Sequence, residues 1–274
     1  MRPRRLWLIL IGVLVLVALI VAVLRRDPEP SYGGRSLSEW LARLAAVPDG
    51  DPPQQAQAAA AIRQIGTNAL PYLLKWIQYK PLPWTKALNR ITGGLIGKYD
   101  FLSDYKNAIR AEQAMEAFRA LGPGACAAIP QLLRLMNDPS RSWSAGRAAS
   151  VIVRMGTNAR PALPALIRLL TNTNPWAAFG AVTALGDLTL EPQLVVPALA
   201  PCLLSSNFVI RLFAAHAFGC FGGEARGAVP ALLLLLDDPY PDIQFWATNA
   251  LWAIDPQVME RLNARAADAG QKAE

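Results

Sequence analysis

Apolar and polar positions alternate along this chain with a helical period, and the pattern returns every 33 residues or so. Gly222 has Ala214 eight residues before it, Phe218 four before, Phe221 one before and Pro230 eight after. The same offsets hold around Gly122, Gly156 and Thr189, which are followed by Pro130, Pro164 and Pro197. They hold again before Gly66 and Asp255, with Pro71 near the first. The anchors at 122, 156, 189, 222 and 255 are spaced 34, 33, 33 and 33 residues apart, while 66 to 122 is 56. Offsets −12, −8, −5, −4 and −1 trace one stripe of a helix, and alanine occupies −8 in all six units. A small residue at a fixed place lets stacked helices approach closely.

After each anchor come a turn and another apolar helical face, such as Val229, Leu232, Leu233 and Leu236. The prolines lack a backbone donor and suit the first helical turn or a bend. "NDPS", "TNTNP", "SSN" and "DDPYP" then supply turn and N-cap residues. Two helices per repeat, each unable to bury its apolar face alone, predict an α-solenoid. Ser36 and Glu39 match a capping box at the start of the array. Residues 256–274 read as a polar capping helix and tail.

"VIRLFAAHAFGCFG" followed by "AVPALLLLLDDP" resembles a HEAT repeat of the short bacterial kind, whose second helix is alanine-rich. The resemblance covers residues 36–255 and implies an all-α, right-handed α-solenoid of about six two-helix units, with no sheet. It implies second helices lining a concave side, and scaffold or adaptor roles. The arginine usual at −11 occurs as Arg211; the other units carry Gln55, Ala111, Ala145, Ala178 or Gln244, so a full Arg–Asp ladder is not expected.

Composition changes the picture at the N-terminus. Residues 6–24 are 19 consecutive residues without a charge, about 28 Å as a helix, which matches the hydrocarbon core of a bilayer. The run exceeds a signal-peptide core and lacks a good cleavage site, so residues 1–26 read as an uncleaved single-pass anchor and 27–35 as a linker. The flanking arginines are nearly balanced; a short tail inside and the repeats outside the cytoplasm is the preferred orientation. The net charge of +7 is mostly local: five of the 27 basic residues lie in residues 1–26 with no acid, and the other 22 face 20 acids. No footprint for nucleic acid remains.

An insertion at about 81–107 carries Trp84, Arg90, Lys98 and Tyr99. It reads either as an extra packed hairpin or as a basic, aromatic contact surface. "ITGGLIGKYD" within it fails as a phosphate loop on spacing and on Tyr99 where Ser or Thr is needed.

His216, the one histidine, lies four residues before Cys220, off the core stripe. Two ligands fall short of a zinc site, so no metal, cofactor or catalytic set is assigned. Cys126, Cys202 and Cys220 read as free, buried thiols. The opposite stripe, at −2, −6, −9 and −13, carries Trp143, Arg147, Arg154, Trp176, Phe213, His216 and Trp246. Such residues suit a protein-binding groove. The expectation is a membrane-tethered, non-catalytic scaffold for a partner protein. The alternatives are an enzyme or enzyme accessory, as in HEAT-like bilin lyases, and a purely structural spacer.

Overall fold

Alanine at −8 is fully buried in all six units: Ala58, Ala114, Ala148, Ala181, Ala214 and Ala247 each have 0% exposure. The −4 residues Ile62, Phe118, Ile152, Leu185, Phe218 and Leu251 are equally sealed. The computed structural model describes residues 29–45, 52–80 and 104–271, without the side chains of 104–105, 141–143 and 265–271. Across these residues the register read from the chain is the register of the core.

Among the described residues six two-helix hairpins follow one another. They are α1 (Leu37–Ala45) with α2 (Pro52–Ile65), α3 (Leu70–Ile77) with α4 (Asp104–Leu121), and α5 (Ile129–Asn137) with α6 (Ser142–Arg154). Next come α7 (Leu163–Leu169) with α8 (Pro175–Leu188), α9 (Pro192–Leu199) with α10 (Phe208–Phe221), and α11 (Val229–Leu234) with α12 (Pro241–Ile254). Helix α13 (Pro256–Gln271) closes the end and buries Met259. The long second helices stack side by side, α6 on α8, α8 on α10 and α10 on α12. The short first helices form the other layer. The protein is an all-α solenoid.

Each stop and start has a local cause. Gly66, Gly122, Gly156 and Gly222 adopt φ of +62°, +59°, +56° and +52° just past their long helices, positive values that glycine takes without the clash a Cβ would bring. Pro71, Pro130, Pro164 and Pro230 sit in the first turn of α3, α5, α7 and α11, where the missing N–H costs nothing. Asn174 Oδ1 accepts from Trp176 N at 3.1 Å and Asn207 Oδ1 from Val209 N at 3.0 Å, capping α8 and α10. The Ser36–Glu39 capping box is formed, with Ser36 N donating to Glu39 Oε2 at 2.8 Å and Glu39 N to Ser36 Oγ at 3.4 Å.

Three expectations are corrected. A sheet exists: Ser31–Tyr32 pairs antiparallel with Arg35–Ser36. Gly33 and Gly34, at φ +57° and +75°, make the tight turn that such a ribbon requires. The segment expected as a linker is therefore docked, and Trp40 Nε1 donates to Tyr32 O at 3.0 Å. Of the thiols expected to be buried, Cys202 is buried, Cys126 is half-buried and Cys220 is exposed. The residue at 189 breaks the glycine pattern: Thr189 and Glu191 hold φ +47°, strained for residues with a Cβ.

The proposed anchor at 6–24, residues 27–28, and 81–103 with Trp84, Arg90, Lys98 and Tyr99 lie outside the described residues. Within the described residues one helical run, Phe208–Asp237, is long and apolar enough to cross a membrane. It is the junction of two units. Gly222 breaks it, and α10 packs between α8 and α12. Its 14-residue first part is shorter than the roughly 20 residues a span needs.

Candidate functional site

The stripe opposite the core face of the long helices is partly exposed and partly half-buried. Trp176 is 53% exposed, and its ring meets Phe179 at 6.4 Å, which meets Phe213 edge-on at 4.7 Å. Further along, His216 stands edge-on to Trp246 at 4.6 Å, and Trp246 to Phe245 at 5.4 Å. Phe245 is 59% exposed. Aromatic edges thus run from α8 across α10 to α12. Phe179 and Phe245 were not among the sequence candidates. Both sit at −10, one residue or about 100° round the helix from the −9 position, and their shared offset was the available signal.

The arginines of the stripe are engaged within the chain. Arg147 donates through Nη1 to Tyr79 O at 2.8 Å and to Ile77 O at 3.3 Å. It thereby ties α6 to the carbonyl end of α3, where a cation complements the helix dipole. Desolvation lowers its pKa, opposed by the charge of Glu112. Arg154 Nε donates to Glu116 Oε1 at 2.8 Å, joining α6 to α4. Both tie neighbouring repeats together. The Trp143 side chain lies outside the described set.

His216 and Cys220 do share a face of α10, and the fold adds a residue that spacing along one helix cannot reveal. Asp187, near the end of α8, comes beside them, and the ligand atoms of Asp187, His216 and Cys220 all lie within 4.8 Å of one another. The sequence count of two ligands becomes three. Partial desolvation raises the Asp187 carboxyl, against the charge of His216. Desolvation, with a smaller push from Asp187, raises the Cys220 thiol. A thiol shifted upward is the opposite of an activated nucleophile.

A buried ion pair stands apart from this face. Arg211 grips Asp238 with both ends of its guanidinium, Nε to Oδ2 at 2.8 Å and Nη2 to Oδ1 at 3.1 Å. Arg211 also donates to Ser205 O at 2.8 Å, and Asp238 accepts from Tyr240 N at 3.1 Å. The pair is one rung of an Arg–Asp ladder, formed where the −11 arginine is present.

The geometry defines a two-layer helical repeat stack that displays aromatic side chains on its second-helix layer. Residues 163–252 match the family model described as HEAT repeats, which supports a HEAT-repeat assignment for that part of the array. Among solved structures, the chain is similar to the karyopherin Kap121p bound to the SUMO protease Ulp1p, at 15% identity and TM-score 0.52, over 84% of this chain and 27% of that one. It is similar to Kap121p bound to the extreme C-terminus of the phosphatase Cdc14p, at 16% identity and TM-score 0.51, over 80% and 25%. A designed armadillo repeat protein in complex with the peptide (KR)4 aligns at 17% identity and TM-score 0.42, over 81% and 100%. The two Kap121p likenesses show the fold. The chain spans about a quarter of the karyopherin chains it matches. No curated protein sequence matches the chain.

Proposed function

We propose that the protein is a membrane-tethered scaffold that binds a partner protein along its second-helix face and performs no chemistry. Residues 6–24 hold it to the bilayer, with the repeat array outside the cytoplasm; nucleic acid is not its partner. One observation carries the reading: the aromatic run Trp176–Phe179–Phe213 and His216–Trp246–Phe245, exposed at Trp176 and Phe245 and half-buried between them. The two layers differ in kind. The large apolar residues exposed on the short helices and their continuations are Leu194, Leu204 and Leu234, whereas the long helices expose Trp176, Phe208, Phe245 and Trp252 besides Ile109. Tryptophan is enriched at binding hot spots and leucine is under-represented there. Solenoid neighbours that hold peptides and proteins, as the Kap121p complexes do, favour the same use of the fold.

The test is cross-linking capture by the full chain and its Trp176→Ala and Trp246→Ala variants, each paired with a melting curve. Capture should fall by at least about 30-fold in affinity, the equivalent of about 2 kcal/mol, while melting changes less than for a core truncation. If both variants melt like core mutants and capture is unchanged, the aromatic run is packing, and the insertion at Trp84 and Lys98 takes its place as the candidate surface.

A further inference from the structure

Asp187, His216 and Cys220 offer three donors of different chemistry, and no single repeat contains them. His216 and Cys220 are four residues apart on α10 and so share a face. Asp187 comes from α8, at the −2 place of the unit before. Their ligand atoms lie within 4.8 Å of one another. Around a tetrahedral zinc with bonds of about 2.0–2.3 Å, donors stand about 3.3–3.8 Å apart. The donors are thus within about 1–1.5 Å of that spacing.

The backbone beneath the cluster is held close. Gly186 precedes Asp187, Ala217 follows His216, and a Cβ added at Gly186 would stand 2.4 Å from Ala217 Cβ and 2.9 Å from its Cα. No other described glycine shows so close an approach. Helices α8 and α10 therefore approach closely beside the three donors, which limits the slack between Asp187 and its partners across the gap. The edge-on contact of His216 with Trp246 orients the imidazole from the far side. Asp187 and Cys220 are exposed and His216 is half-buried, so the cluster opens onto the aromatic face.

We propose that Asp187, His216 and Cys220 form an open, three-ligand site for a divalent transition-metal cation, zinc foremost, with a fourth position facing the second-helix surface. Thiolate plus imidazole selects borderline-soft cations such as zinc and cobalt over magnesium and calcium, which take oxygen donors. On binding, Cys220 releases its thiol proton to solvent and coordinates as thiolate, His216 coordinates neutral through one ring nitrogen, and Asp187 coordinates as carboxylate. The two negative ligands balance the dication. The open position is that of a site prepared for a water or an outside donor, rather than of a closed structural site. This inference does not depend on a protein partner.

The test uses the tag-free full chain, reduced, and Co²⁺ alone as the probe. One Co²⁺ per chain should bind, with a thiolate-to-cobalt charge-transfer band and the visible bands of tetrahedral geometry, and Zn²⁺ should displace it. Cys220→Ser should abolish the charge-transfer band, while Cys126→Ser and Cys202→Ser leave it unchanged. Asp187→Asn and His216→Gln should each weaken binding at least about tenfold, with melting curves confirming that the variants fold. Absence of the band in the wild type, its survival in Cys220→Ser, or unchanged affinity in Asp187→Asn or His216→Gln overturns the assignment.

Discussion

Replacing Gly186 with alanine adds one methyl group where two helices already touch. The new carbon would lie 2.4 Å from Ala217 Cβ and 2.9 Å from Ala217 Cα, against about 3.5–4.0 Å for carbon atoms at optimal separation. Neither neighbouring atom belongs to a flexible chain end, so α8 and α10 must move apart by about 1 Å. Overpacking of this kind costs about 1–3 kcal/mol. Alanine recovers up to about 1 kcal/mol by its higher helix propensity. With that recovery the net is a loss of up to about 2 kcal/mol, or up to about 8 °C in melting temperature for a chain of this size. Gly146, in α6, is the matched control: it is exposed and an added Cβ there would meet nothing within 4 Å. Gly146→Ala carries the propensity gain without the clash and should melt about 1–4 °C above the wild type. Both variants are compared by thermal melts in far-ultraviolet circular dichroism. A Gly186→Ala protein melting at or above the wild type would refute the close approach of α8 and α10.

The other predictions concern the core, one strained turn and one ion pair. Ala181→Leu or Ala214→Leu places a large side chain at a fully sealed −8 position and should cost about 1–3 kcal/mol in chemical denaturation; unchanged midpoints for both would contradict the register. Thr189→Gly should raise stability by about 0.5–1 kcal/mol, because relief of the φ +47° strain exceeds the entropy glycine adds to the unfolded chain; a lower midpoint would show that the turn is unstrained. The Arg211 hydrogen bonds are the main cause holding the Asp238 carboxyl below its ordinary value. Its contribution is therefore full above the unfolded value of about 3.9 and is lost as pH falls through the folded one. Asp238→Asn should destabilise by about 1.5–3 kcal/mol near neutrality, and the gap from wild type should narrow in acid; a pH-independent gap would refute the coupling.

What the chain made legible was what repeats within each unit. The −8 alanines, the −4 residues, the positive-φ glycines at the anchors and the first-turn prolines each recur at one offset, and each recurrence marks one physical demand. Contacts between units were harder to read, because they depend on how far one helix slides along the next. Asp187 and Cys220 hold the same −2 place in adjacent units, so the repeat puts them on one stripe, but how near they come is set by how the two helices stack. Gly186 and Ala217 were the available trace, as small residues at −3 and −5 in adjacent units. Arg147 carries a contact between units that its stripe position did not signal: it donates to the carbonyls of Ile77 and Tyr79 within 3.3 Å. The Ser31–Ser36 ribbon was missed because two residues per strand carry no alternation, although paired glycines between them are a turn signal.

Site-specific photo-cross-linking reports whether the second-helix layer is the working face. A photoreactive residue is placed in the full chain at Trp176 or Phe245 on that layer, and at Leu204 or Leu234 on the other, all four being exposed. One recurrent protein adduct should arise from positions 176 and 245 and none from 204 and 234. Adducts arising equally from both layers, or from Leu204 and Leu234 alone, would contradict it.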